Sequence, residues 1–71
     1  MMPLSLAQIG EETVIHRIAG RTQVRQHLES MGFVAGSNVT VLSKIGGNVI
    51  VHVKQSRVAI SEEMARKIMV E

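Results

Sequence analysis

A small, mainly β fold is what this sequence predicts: a partly open barrel of about five strands, with one helix of two to three turns and a short C-terminal helical turn. Three observations carry the prediction. Ten Val and seven Ile dominate the apolar residues, and β-branched side chains pack best on a pleated surface. The segment Asn48–Lys54 alternates cleanly, with Val49, Val51 and Val53 toward one face and Ile50, His52 and Lys54 toward the other. The stretch Leu28–Val41 changes period, from helical spacing before Gly32 to strand alternation after Asn38. Seventy-one residues make a single domain, residues 1–71. A domain of this size buries only about 60% of its unfolded surface, so its core has to be dense. Short strands with helical insertions hide their inner face only by curling. The last strand is therefore expected to close the barrel and the helix to plug it.

Each element has a local reason. Met1–Ile9 is a lead-in. Pro3 is expected to stay out of regular pairing, and Ser5 to cap a single turn that puts Leu6 and Ile9 on one side. Gly10 ends it. Glu12–Ile18 reads as the first strand; Ile15 and Ile18 lie three apart, which predicts a bulge near His16 and Arg17. Gly20 ends that strand. Thr22 is the expected N-cap of a helix over Gln23–Met31. Val24, Leu28 and Met31 form its apolar stripe, leaving Arg21, Arg25, Gln26 and Glu29 to solvent. An Arg25–Glu29 ion pair there would be worth about 0.2–0.5 kcal/mol. Gly32 closes the helix in a left-handed conformation, and Phe33, the only aromatic residue, folds back over the helix end. Gly36, Ser37 and Asn38 turn the chain into a second strand, Asn38–Lys44, with Val39 and Val41 on one face. Gly46, Gly47 and Asn48 read as a hairpin turn into the third strand. Gln55 and Ser56 turn into the fourth, Arg57–Ile60. Ser61, followed by Glu62 and Glu63, suits the start of a helical turn, because carboxylates complement a helix N-terminus. Ile68 and Val70 resume alternation as a last strand.

Composition excludes several classes. There is no Cys, hence no disulfide and no thiolate metal site. No apolar run approaches the roughly 18 residues that span a bilayer, and Met1–Gly10 lacks the basic start and apolar stretch of a signal peptide. A cytoplasmic protein is the expectation. The net charge is only +2, and the pI near 9.7 reflects the lack of Asp as much as an excess of base. Eight Lys and Arg are spread along the chain without the basic stripe of a nucleic-acid binder, so no nucleic acid is expected.

Catalytic chemistry finds no constellation. The serines sit where turns and caps need them, and the Glu11–Glu12 and Glu62–Glu63 pairs are neighbours at element starts, where solvated roles suffice. Gly46–Gly47 lacks the following Lys-Ser or Lys-Thr of a phosphate loop. No enzyme is expected. His16, His27 and His52 show no ligand spacing. His16 and His52, both on expected strands, are weak candidates to meet across the barrel as a metal site; exposed strand-edge histidines are the simpler reading. No cofactor is expected, and Fe2+ has no ligand motif. One Phe without Trp or Tyr supplies neither a polyproline groove nor a base-stacking platform. Binding through aliphatic and Met surface remains. Met31, Val34 and Met64 are candidates for an exposed patch, with core positions as the plainer reading.

At the Leu28–Val41 corner the chain resembles the FeoA family, small cytosolic accessories of bacterial ferrous-iron transport. The family pattern is matched by Leu28, Met31-Gly32, Phe33, Gly36, Val39 and Val41. It continues through Val49, Val51 and Val53 to the run Arg57, Val58, Ala59, Ile60. The ending matches at Ala65, Ile68 and Val70, and the opening at Leu6, Gly10, Ile15, Ile18 and Gly20. Met31 stands where Leu is more usual. Asn48 stands where Pro is common, so a looser turn is expected there. The resemblance implies an SH3-like barrel, no catalytic residues, and a role beside the large membrane ferrous-iron permease, whose cytosolic part is a GTP-binding domain. It also implies a cytoplasmic chain, drawn to the membrane through its partner. A similar fold forms the C-terminal domain of iron-dependent repressors.

The expected function is thus an adaptor that docks on the permease and modulates it. Arg21, Arg25, Met31, Phe33 and Val34 are the expected partner-binding residues, because the patch mixes Arg with apolar groups as interface cores do; burial of Phe33 is the alternative and would remove it from the set. The alternative is a small DNA-binding or iron-responsive regulatory module, of the swapped-hairpin or repressor C-terminal-domain type. Arg17, Arg21 and Arg25 would be its basic residues, and Arg57–Val70 supplies strands that a swapped hairpin does not need. An open edge strand would also invite homo-oligomers.

Overall fold

The Val-rich alternation is realised as a six-stranded antiparallel sheet. The computed structural model describes residues 1–71. Its strands are β1 (Met2–Pro3), β2 (Glu12–Ile18), β3 (Asn38–Ile45), β4 (Asn48–Val53), β5 (Ser56–Ser61) and β6 (Ile68–Val70), with helices α1 (Thr22–Ser30) and α2 (Glu62–Ala65). Across the sheet the order is β1-β6-β2-β3-β4-β5. The molecule measures 28 × 24 × 22 Å, so the sheet is rolled up; a flat one would be only about 10 Å thick with its packing partner. The rolled interior is filled by alternate residues of the strands: Ile15, Val39, Val41, Val49, Val51, Val53, Ile60, Ile68 and Val70. Leu4, Leu28, Phe33 and Ala65 close it from the connections. Thr13 is the one buried polar side chain, and its hydroxyl donates to the Val39 carbonyl at 2.9 Å.

The long-range arrangement adds a strand. Pro3 does take part in pairing: Met2 and Pro3 lie opposite Val70 and Met69. A proline is tolerated there because β1 is an edge, where its missing N–H is not needed. The lead-in turn is a 3-10 turn over Leu4–Leu6, started at Pro3 and without a side-chain cap from Ser5. Three residues per turn place Leu4 and Ala7 on one face, and these are the buried pair. Leu6 and Ile9 are instead 68% and 60% exposed.

The bulge falls where the Ile15 and Ile18 spacing put it, with the β2–β6 register shifting between Ile15 and Arg17. A second one, at Leu42, shifts the register between Val41 and Ser43 and had no signal in the alternation. The β3–β4 turn is tight rather than loose. Gly46 and Gly47 have φ of 54° and 81°, and Ile45 faces Asn48 directly, the two-residue turn that matches strand twist. The β4–β5 turn is Lys54–Gln55, one residue earlier than Gln55–Ser56, with Val53 opposite Ser56. Both turn residues have positive φ, 51° and 63°.

Helix α1 begins one residue early. Arg21 is its N-cap and makes no side-chain cap bond. Thr22 lies inside the first turn, where its hydroxyl accepts from Arg25 Nη2 at 3.4 Å. Arg25 therefore reaches back along the helix, and the Arg25–Glu29 pair does not form. The ion pairs are Arg66–Glu62 at 3.0 Å and a 3.9 Å approach of His16 to Glu71. At α2 the expected cap is present: the Ser61 hydroxyl accepts from the Met64 N–H at 3.1 Å. β5 and β6, joined through α2, complete the sheet, unlike a swapped hairpin.

Candidate docking surface at the helix end

The corner after α1 is held by backbone bonds. Gly32 takes φ of 105°. Its N–H donates to the Glu29 carbonyl at 3.0 Å, and the Phe33 N–H reaches back to Leu28 at 3.1 Å. This crossed pair satisfies carbonyls that a helix end otherwise leaves free. The loop then runs to β2: the Gly36 N–H donates to Ile15 at 2.8 Å, and the Ile15 N–H donates to Ser37 at 2.9 Å. So the helix end is pinned from both sides.

That geometry sorts the five expected partner-binding residues. Phe33 has no exposed surface. It packs in the core with Leu28, the usual apolar contact across such a helix end, and is removed from the surface. Arg21 and Arg25 are exposed, and Met31 and Val34 half-buried. They form two groups rather than one patch. At 3.6 residues per turn Arg25 and Met31 are about 120° apart around the axis and about 9 Å apart along it. Arg25 flanks the buried Leu28 stripe on one side and Met31 lies on the other, while Arg21 stands at the opposite end of the helix as its N-cap. Met31 and Met64 are both partly buried against the core, so the Met31–Val34–Met64 patch is largely core edge.

The histidines do not meet. His16 sits on the β2 bulge beside Glu71. His52 lies in an outward row that crosses four strands, Glu12, Thr40, His52 and Arg57. No group of three or more ligating side chains is formed anywhere. Glu12, Thr40 and His52 of this row form the floor of a shallow polar groove of about 260 Å³, lined also by Ser37, Asn38, Lys54 and Gln55. Sequence reasoning missed this groove, because each member is an ordinary outward strand residue until the register aligns them. The groove adjoins the helix corner: a Cβ added at Gly32 would lie 3.0 Å from Lys54 Cγ.

Comparison with known proteins follows the same architecture. The FeoA domain family matches residues 2–71. The chain is 41% identical over 71 residues to a candidate Fe(2+) transport protein A of Methanocaldococcus jannaschii, covering 100% of this chain and 87% of that one. A crystal structure of an iron uptake regulatory protein, FeoA, superposes with TM-score 0.90 at 34% identity, covering 99% of this chain and 93% of that one. Stenotrophomonas maltophilia FeoA, solved with zinc, superposes with TM-score 0.85 at 25% identity, covering 100% and 91%. That protein is described as a prokaryotic SH3 domain protein and proposed there as a bacterial ferrous iron transport activating factor; the rolled sheet seen here has the same SH3-like form. Matched from one end to the other in both sequence and fold, the chain belongs to the FeoA family.

Proposed function

We propose that this chain is a non-enzymatic accessory protein of ferrous-iron transport. In this reading it docks on the cytosolic part of the ferrous-iron permease through the end of α1 and modulates that permease. The family places the chain in iron transport. The observation that supports the docking site is the rigid helix end, with exposed Arg25 on one flank, half-buried Met31 on the other, half-buried Val34 in the following loop and exposed Arg21 at the N-cap. A standard interface covers about 800 Å² per partner, enough to span both flanks. Arginines beside apolar anchors are the composition that interface cores favour. Iron is then the permease's cargo and needs no ligand from this chain. The chain works in the cytoplasm and reaches the membrane only through its partner.

The test is a pull-down against the cytosolic domain of the cognate permease, without nucleotide and with GDP or a GTP analogue. Retention that is lost in Arg25→Glu and in Met31→Ser, with both variants folded, supports the reading and places the site on both flanks. Clean absence of retention in every nucleotide state overturns it. Duplex DNA affinity that falls steeply with salt, alongside that absence, would put the regulatory alternative in its place.

A further inference from the structure

β5 ends the sheet, and its outer edge is open. It pairs with β4 alone. The two-residue turn makes Val53 and Ser56 the closing hydrogen-bonded pair. Ser56, Val58 and Ile60 therefore turn their N–H and C=O groups toward β4, and Arg57 and Ala59 turn theirs outward. The ladder on the other side of β4 agrees in parity: the two-residue Gly46–Gly47 turn makes Ile45 and Asn48 the closing hydrogen-bonded pair, so Asn48, Ile50 and His52 turn their groups toward β3 and Val49, Val51 and Val53 toward β5. No backbone bond outside the strand ladders reaches Arg57 or Ala59.

We propose that this edge pairs antiparallel with the same edge of a second copy of the chain, about a two-fold axis at Val58. In that register Arg57 of each copy faces Ala59 of the other. Both residues have outward N–H and C=O groups, so each of the two pairs exchanges two bonds, four in all. Charge favours a second copy over an arbitrary extended segment. The edge is flanked by Lys54 of the turn and Arg57 at its start and by Glu62 and Glu63 of α2 at its end, all exposed, with Glu62 also paired to Arg66 of its own chain at 3.0 Å. The antiparallel register brings the basic end of one copy beside the acidic end of the other, Lys54 near Glu62. Arg57 faces the small Ala59, and the two Arg57 side chains are diagonal rather than opposite, which limits their repulsion. On the inner face, Val58 is half-buried against the core, and the two Val58 side chains meet at the axis and cover each other. The surface is isologous and closes as a dimer.

Sedimentation equilibrium on the intact chain, from micromolar to millimolar concentration, tests this. The expected mass rises from 7.8 kDa toward twice that value. Ala59→Pro removes an outward N–H, and with it two of the four bonds, without touching the β4 ladder. It should raise the dissociation constant about tenfold or more. Lys54→Glu should weaken the dimer, and Lys54→Glu combined with Glu62→Lys should restore it. In the unmodified chain, the Arg57 and Ala59 amides should exchange more slowly as concentration rises. These last two measurements decide the matter if Ala59→Pro does not fold. A constant monomer mass with concentration-independent exchange at Arg57 and Ala59 overturns the proposal. So does a dimer indifferent to both the proline and the charge reversal.

Discussion

Gly32 carries two constraints at one atom. Its φ is 105°, and a Cβ there would sit 3.0 Å from Lys54 Cγ. Gly32→Ala must therefore pay the left-handed penalty and push aside the Lys54 stem. The expected loss is about 1–2 kcal/mol. Thermal unfolding should show it as a fall of about 4–8 °C per kcal/mol in a domain of this size. The converse case is the β4–β5 turn, where Lys54 and Gln55 hold positive φ without being glycine. Gln55→Gly should stabilise by about 0.5 kcal/mol, the left-handed penalty removed less the added freedom of the unfolded chain. A lower melting temperature would show instead that the Gln55 side chain itself supports the turn. At this scale Gly32 was legible in the sequence, because a helical stripe stops there. Phe33 was placed correctly in space, over the helix end, but the sequence left its surface and buried readings both open, and it is buried. A residue in a connection belongs to neither period, and only packing shows which way it faces.

The two helices begin differently. α2 has the Ser61 hydroxyl on the Met64 N–H, and Ser61→Ala should cost about 1 kcal/mol. α1 has Arg21 at its N-cap with extended backbone and no side-chain bond. Arg21→Ser should add about 0.5–1 kcal/mol by supplying the missing acceptor. If Arg21 also grips the partner, that variant should be more stable in urea and bind less well, a combination that general damage to the fold cannot produce. Capping preference pointed to Thr22 as the start of this helix. A tertiary anchor set the start instead: the Ala19 N–H donates to the Lys67 carbonyl at 2.7 Å, which fixes where the chain leaves the sheet.

Over the whole molecule, closure depends on β6. This strand lies between β1 and β2, although it is the last to be reached along the chain. Ile68 is fully buried within it. Ile68→Ala should cost about 2–5 kcal/mol, against a total stability of roughly 4–10 kcal/mol for a chain of this length. Denaturant unfolding should show a midpoint lowered by a large fraction, with part of the population unfolded already in water. The docking surface belongs to this scale too. Exposure of Arg21 and Arg25 followed from the helical stripe, as does the separation of Arg25 from Met31 around the axis, but how far Met31 and Val34 are buried depends on where the helix sits on the barrel.

By itself the sequence determined the pieces: the alternating strands, the Gly46–Gly47 hairpin, the helix stopped at Gly32, the bulge near His16 and the cap at Ser61. Each is a contest between neighbours a few residues apart, settled by side-chain period, φ preference or a local hydrogen bond. Its pattern also carried the family. The tertiary structure alone decided that β6 enters between β1 and β2, that Pro3 pairs, that Phe33 is core, and that Glu12, Thr40, His52 and Arg57 align in one row. Those outcomes depend on which strands close the barrel. That choice is made by burying apolar surface between segments 50 or more residues apart, such as β2 and β6, and hydrophobic burial is non-directional. A local pattern specifies what must be buried; only the closed fold specifies against what.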